Sequence, residues 1–238
     1  MARDSKFVQV ACGFDGASDA YLSLPNGTAR GALVVVQEIF GVTQAMRDIA
    51  DDLADNGYVA LVPDLFWRLE RRAELGNGDD APLRQRAVAL LNAFDVETGV
   101  RDLCAAVEHL KFLRNSPSVG IMGFCIGGRM STLVASTGAV KCAASFYGVG
   151  LDKYLERVRA IRVPFQFHVG DKDAHIPAAT IEAIKSNVEA ANLSDSGVYV
   201  YPDSPHAFFN KHRTDCFNEA AYSAAKTRLL EFAGRHLN

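Results

Sequence analysis

The chain has 238 residues, of which 49% are hydrophobic and 22% charged, with 25 basic against 28 acidic side chains and a net charge of −3. That length supports one large α/β domain over 1–238, that composition excludes a disordered chain, and that charge provides no general field for nucleic acid or an anionic membrane. Five cysteines (Cys12, Cys104, Cys125, Cys142, Cys216), odd in number and without a C-x-x-C pair, argue against a disulfide framework and for a reducing compartment. The N-terminal stretch has no apolar segment behind its charges, and the longest clean apolar run, 32–36, is far short of the roughly 20 residues a spanning helix needs. The expectation is a soluble cytoplasmic protein, a monomer or small homo-oligomer, with a small molecule and neither nucleic acid nor membrane as its partner.

In chain order, residues 8–11 and 21–24 read as a leading antiparallel pair. Short β-branched runs then follow at 32–36, 59–63, 119–123, 143–147, 165–169 and 198–201. Their near-continuous hydrophobicity suits strands covered on both faces. Helical spacing occupies 44–56, 83–95, 96–115, 128–137, 177–191 and 217–236; in the last, Ala220, Ala221, Ala224, Ala225, Leu229 and Phe232 recur on one face. The alternation predicts a wound, mostly parallel sheet with helices on both sides. The charged stretch 66–82 reads as a solvated loop or as a rim over a site.

In such sheets, sites lie beyond the carboxyl ends of the strands. The residues just past those ends are Glu38, Asp64, Cys125, Asp173 and His206, all of types that take part in acyl transfer. Gly123-Phe-Cys125-Ile-Gly127-Gly128 is a G-x-C-x-G turn between a strand and a helix. A strained elbow needs small neighbours two residues either side of its central residue, and the helix N-terminus favours a thiolate there. A phosphate loop would need Lys-Ser/Thr where Arg129-Met130 stands, so nucleotide binding is a poor fit. The other four cysteines read as buried structural residues.

The order Cys125, Asp173, His206 is that of an α/β-hydrolase nucleophile, acid and histidine, with His206 moving the proton and Asp173 orienting its ring. Asp171, Asp173 and His175 can also be read as metal ligands, but the set lacks an evident fourth partner, and no metal is assigned. His168 reads as a core residue, and His109 and His236 as ordinary helix residues. Glu38 follows a buried strand directly. In this fold that loop supplies one oxyanion amide, here Ile39, and the residue after the nucleophile, Ile126, supplies the other. Glu38 beside a thiol would oppose thiolate by repulsion yet could accept its proton.

Gln37-Glu38-Ile39-Phe40-Gly41-Val42, the cysteine elbow, Gly-Asp-Lys-Asp173 and Pro-His206-Ala-Phe-Phe stand in order along the chain. Together with Val62-Pro63-Asp64-Leu65-Phe66, Ala93-Phe94-Asp95 and Tyr147-Gly148-Val149-Gly150, they make the chain resemble the dienelactone hydrolase (carboxymethylenebutenolidase) family from about Phe7 onward. The resemblance implies an α/β-hydrolase fold, a Cys125-His206-Asp173 triad acting on a lactone or small ester without a cofactor, and a Glu38 that meets the resting thiol and takes its proton when substrate binds. It also implies a carboxylate clamp. Arg84 matches its first arginine, whereas its second arginine is Asn210, its tyrosine is Val88, and the residue after the histidine is Ala207. Phe40, Phe208, Asn210 and Arg84 are therefore the expected substrate-binding residues, with Arg213 a further candidate. Other readings are a carboxylesterase or thioesterase for different acyl groups, helped by the aromatic pair Phe208-Phe209, a non-catalytic ligand binder on the same scaffold, and a redox-sensing thiol with a resolving cysteine near Cys125.

Overall fold

A computed structural model describes residues 4–12, 15–114 and 118–237. The leading pair is longer than its apolar cores suggested. Strands β1 (Asp4–Ala11) and β2 (Ala17–Leu24) pair antiparallel along their whole length, and β2 then runs antiparallel to β4. The remaining strands are β3 (Gly31–Val36), β4 (Tyr58–Pro63), β5 (Val119–Phe124), β6 (Ala143–Phe146), β7 (Phe165–Gly170) and β8 (Gly197–Tyr201). They are parallel to one another, and the sheet order is β1-β2-β4-β3-β5-β6-β7-β8. Every residue of β4, β5, β6 and β7 is buried, as a strand covered on both faces requires.

The order contains a reversal that places the site. From β3 the chain crosses through α1 (Gln44–Asp55) to β4 on one side. After β4 it returns through α2 (Ala81–Ala93) and α3 (Val96–Arg114) to β5 on the other side of β3. Right-handed crossovers running in opposite directions put α1 and α3 on opposite faces. From β5 the chain winds steadily outward through α4 (Ile126–Ala135), α5 (Leu155–Arg159) and α6 (Ala178–Ala191), and α7 (Glu219–His236) closes back on α1 through Lys226 and Asp52, 2.6 Å apart. The loops leaving β3 and β5 therefore diverge, opening a crevice above them.

Several boundaries differ from expectation for local reasons. Helix α4 begins at Ile126, two residues early, because the strand-to-helix turn is compressed into Cys125 alone. Helix α2 starts at Ala81, with Asp80 accepting from the Leu83 amide and Pro82 in its first turn, where the missing N–H costs nothing. Helix α7 starts at Glu219 because the Asn218 side chain accepts from the Ala221 amide. The 66–82 stretch is not simply solvated: Phe66, Trp67, Ala73 and Leu75 are buried, and Glu74 bridges to Gly41. Asp64, one of the post-strand acids, belongs to this anchoring. Its carboxylate accepts from the Phe66 and Arg72 amides, and burial pushes it up to about 6. No helix among the described residues is long and apolar enough to cross a membrane.

Candidate active site

The sharp turn after β5 concentrates strain on one residue. Cys125 sits at φ 56 and ψ −117, a conformation L-residues rarely adopt. Its amide donates to the Phe146 carbonyl at 3.1 Å, and its own carbonyl accepts from the amides of Arg129 and Val149 at 3.2 and 3.3 Å. The flanking glycines answer a different demand, that of space. A Cβ on Gly127 would press into the carbonyl oxygens of Val36 and of Gln37, the latter at 2.5 Å, and one on Gly123 would press into the backbone of Gly127. The end of β3 and the start of α4 touch through bare backbone; Ile39, two residues past Gln37, lines the cleft, while the Ile126 side chain is buried. Ile126 opens α4, so its N–H is among the helix's unpaired donors.

The acid and the histidine arrive from β7 and β8. Asp173, buried, receives the His175 amide on Oδ1 at 2.9 Å, and its Oδ2 lies 2.8 Å from His206 Nδ1. Cys125 and His206 line the same cleft. Burial alone would lower the imidazole, but Asp173, bonded to it, and Cys125 push it up to about 10. Protonated His206 thus contributes stability below its unfolded value of 6.5, lost as pH rises through about 10. Chemical denaturation should accordingly show the advantage of the wild type over Asp173→Asn shrinking between these two pH values; a gap independent of pH would contradict the charged pair.

The expected sites divide into those the structure brings together and those it does not. Glu38, Ile39, Phe40, Arg84, Cys125 and His206 all line one cleft of about 580 Å³, within the range of small-molecule sites. Phe208 and Asn210 are corrected. Phe208 is fully buried, packed on Tyr147 and Tyr201 with ring centroids 5.5 and 5.0 Å away. Asn210 is buried behind the cleft wall, where its Nδ2 donates to Glu38 Oε2 at 2.9 Å. The cause is Ala207, whose φ of 65 reverses the chain after His206 and turns the next residues inward. The same loop then carries Arg213 back to line the cleft, its guanidinium shared with Asp215 at 3.0 Å. Arg84 donates through Nε and Nη2 to the Gly78 carbonyl.

Glu38 Oε1 accepts from the Tyr147 hydroxyl at 3.2 Å and its Oε2 from Asn210. Burial pushes its carboxyl up, against the opposing pull of His206, Asn210, Tyr147 and Arg213. Tyr147 was not singled out from the sequence, although it stands just past the end of β6, where the rule for open sheets places functional groups. His175, also missed as a cleft residue, lines the wall with its ring centroid 4.7 Å from that of His206.

Two alternatives lose their geometric basis. Asp171 turns to the Ser204 amide at 3.4 Å rather than converging with Asp173 on a metal position. Cys142 precedes β6 in register with Gly120, so it lies five residues, about 16 Å, down the strands from Cys125. That separation removes Cys142 as a resolving cysteine, whereas Cys216 touches the cleft-lining Arg213 and Asp215. His168 is the core residue expected: it bonds Tyr201 Oη at 2.8 Å and Gln166 at 3.1 Å, and burial lowers it to about 3.

The dienelactone hydrolase family model matches residues 18–237. A carboxymethylenebutenolidase of Pseudomonas putida is 35% identical over 221 residues, 91% of each chain, and carboxymethylenebutenolidase 1 of Cupriavidus pinatubonensis is 33% identical over 226 residues, 94% of each. The crystal structure of a putative dienelactone hydrolase from Klebsiella pneumoniae superposes with a TM-score of 0.86 at 26% identity, covering 99% of this chain and all of that one. An eight-stranded α/β-hydrolase sheet with its thiol elbow, and these likenesses along nearly its whole length, lead to one conclusion: the chain belongs to the dienelactone hydrolase family and is a hydrolase of lactone or ester bonds.

Proposed function

We propose that the protein opens a carboxylate-bearing lactone of the dienelactone type, with Cys125 as nucleophile, His206 as acid and base, and Asp173 holding the His206 ring. The observation that carries this reading is His206, bonded to Asp173 at 2.8 Å, lining one cleft with Cys125 and Ile39. In the proposed sequence, Cys125 and His206 react as a thiolate–imidazolium pair, and the thiolate adds to the lactone carbonyl. The N–H groups of Ile39 and Ile126 receive the oxyanion. Collapse breaks the ring C–O bond, and the departing oxygen, still tethered to the acyl chain, takes the proton from His206. Water, deprotonated by His206, then attacks the thioester, and the opened acid leaves with the thiolate–imidazolium pair restored. No cofactor enters any step.

The carboxylate preference follows from the walls. Arg84 on α2 and Arg213 on the loop after β8 both border the cleft, whereas Phe40, Val88, Leu91 and Val149 supply its apolar surface. Arg213 thus offers the second cation in place of Asn210, and Asp215 holds its guanidinium plane. The test is the loss of dienelactone ultraviolet absorbance, with a neutral aryl ester assayed in parallel. Arg84→Ala and Arg213→Ala should each raise KM for the dienelactone about tenfold or more and leave the aryl ester nearly untouched. Equal losses on both substrates would remove the clamp, and turnover of the aryl ester alone would favour an esterase for neutral acyl groups.

A further inference from the structure

Between α1, α7 and the loop after His206 lies a second cavity, of about 140 Å³, that the steps above do not use. Its walls follow from helical spacing: Ala45, Ile49 and Leu53 recur along one face of α1, and Tyr222 and Leu229 along one face of α7. Phe209 completes the apolar lining, with its ring centroid 4.6 Å from that of Tyr222. The charges around this lining do not cancel. Asp48 is taken by His212 at 2.7 Å and Asp52 by Lys226 at 2.6 Å. Lys211 is left over. Its ammonium stands 4.3 Å from the centre of the Tyr222 ring, and among the described residues no carboxylate pairs with it.

We infer that this cavity is a second small-molecule site, one that takes a compact monocarboxylic acid with its apolar body between α1 and α7 and its carboxylate at Lys211. Size sets the body: an apolar cavity of about 150 Å³ takes up benzene, so a single ring or a branched chain of similar bulk fills this one. Charge sets the head group. A carboxylate finds an ammonium whose present partner is only an aromatic face, whereas a cationic ligand finds both acids already engaged. A dicarboxylate would set its second charge near Asp48 or Asp52, so the cavity and the two-arginine cleft favour different acids. No residue lines both, but one loop serves both: Phe209, Asn210, Lys211 and His212 face the cavity, and Arg213, whose amide donates to the Asn210 carbonyl at 3.0 Å, faces the cleft.

The probe is 4-fluorobenzoate, titrated into the whole enzyme without substrate and followed by fluorine NMR line broadening. The wild type should bind it with a Kd on the order of 1 mM, as a ligand of this size allows. Lys211→Ala should weaken binding about fivefold, the range of an exposed charge contact. Ala45→Leu, which places extra carbons in the cavity, should abolish binding. Both variants should hydrolyse an aryl ester at the wild-type rate, which shows that they fold. Arg84→Ala should leave the Kd unchanged, because that arginine belongs to the cleft. The absence of saturable broadening, or a Kd that Lys211→Ala does not alter, would overturn the site. Binding lost in Arg84→Ala and kept in Ala45→Leu would overturn it as well, by placing the acid in the cleft.

Discussion

Cys125→Ala is expected to lower kcat for lactone and ester hydrolysis by about 10⁴-fold or more while leaving the melting temperature within about 2 °C. The large kinetic effect follows from covalent catalysis: without sulfur there is no acyl-enzyme, and His206 and the two amides can only assist a direct attack by water. The small thermal effect follows from the backbone. Alanine at 125 is as strained at φ 56 as cysteine, and the amide and carbonyl bonds to Phe146, Arg129 and Val149 do not involve the side chain. Steady-state kinetics on a lactone and an aryl ester, with thermal denaturation of the same preparations, checks both halves. Retained turnover would reject the thiol as nucleophile, and a collapsed melting temperature would mean that lost activity reported on the fold.

The second large effect lies at a residue with no functional group. Gly127→Ala should cost about 3 kcal/mol of stability or more and about 10²-fold in kcat, the two losses having separate origins. Stability falls because the new methyl group meets the Val36 and Gln37 carbonyls, backbone atoms that cannot step aside as a flexible side chain would. Activity falls because relief of that contact pushes the end of β3 from the start of α4. Ile39 is two residues past Gln37 and Ile126 directly precedes Gly127, so the two oxyanion amides separate. Gly138→Ala is the informative control: its φ of 76 is also unfavourable for alanine, but nothing lies within 4 Å of the added carbon. It should cost about 1–2 kcal/mol and no activity. Comparable kcat losses in the two variants would exclude the proposed separation of the amides.

What the sequence made legible follows from the distance over which each feature is determined. The elbow is local: a strand, two small residues around Cys125 and a following helix suffice to place it. The Asp173–His206 pair was legible almost as readily, because parallel strands deliver the loops that follow them to the crevice. Legibility ends where a side chain's direction depends on one backbone angle. Ala207 at φ 65 decides that Phe208 enters the core, that Asn210 turns to Glu38 and that Arg213 returns to the cleft. Nothing in the letters Pro-His-Ala-Phe-Phe-Asn announces that angle. Tyr147, at φ 40, was hidden in the same way, since the apolar run 143–147 that it closes read only as a strand. The 66–82 stretch misled by composition, because four buried apolar residues anchor a segment whose charges dominate the count.

The strand order has a consequence for how this enzyme can change. Glu38, Cys125, Tyr147, Asp173 and His206 follow β3, β5, β6, β7 and β8, five strands adjacent in the sheet, whereas β1, β2 and β4 form the opposite margin. The strands that carry these residues span about 19 Å across the sheet, and their side chains converge above it. The two arginines that line the cleft hang from α2 and the loop ending near Asp215, outside that row of strands. The arginine-bearing segments can therefore be exchanged apart from that row: grafting 78–93 or 211–216 from a relative should re-cut the substrate range and leave the residues that follow β3, β5, β6, β7 and β8 in place.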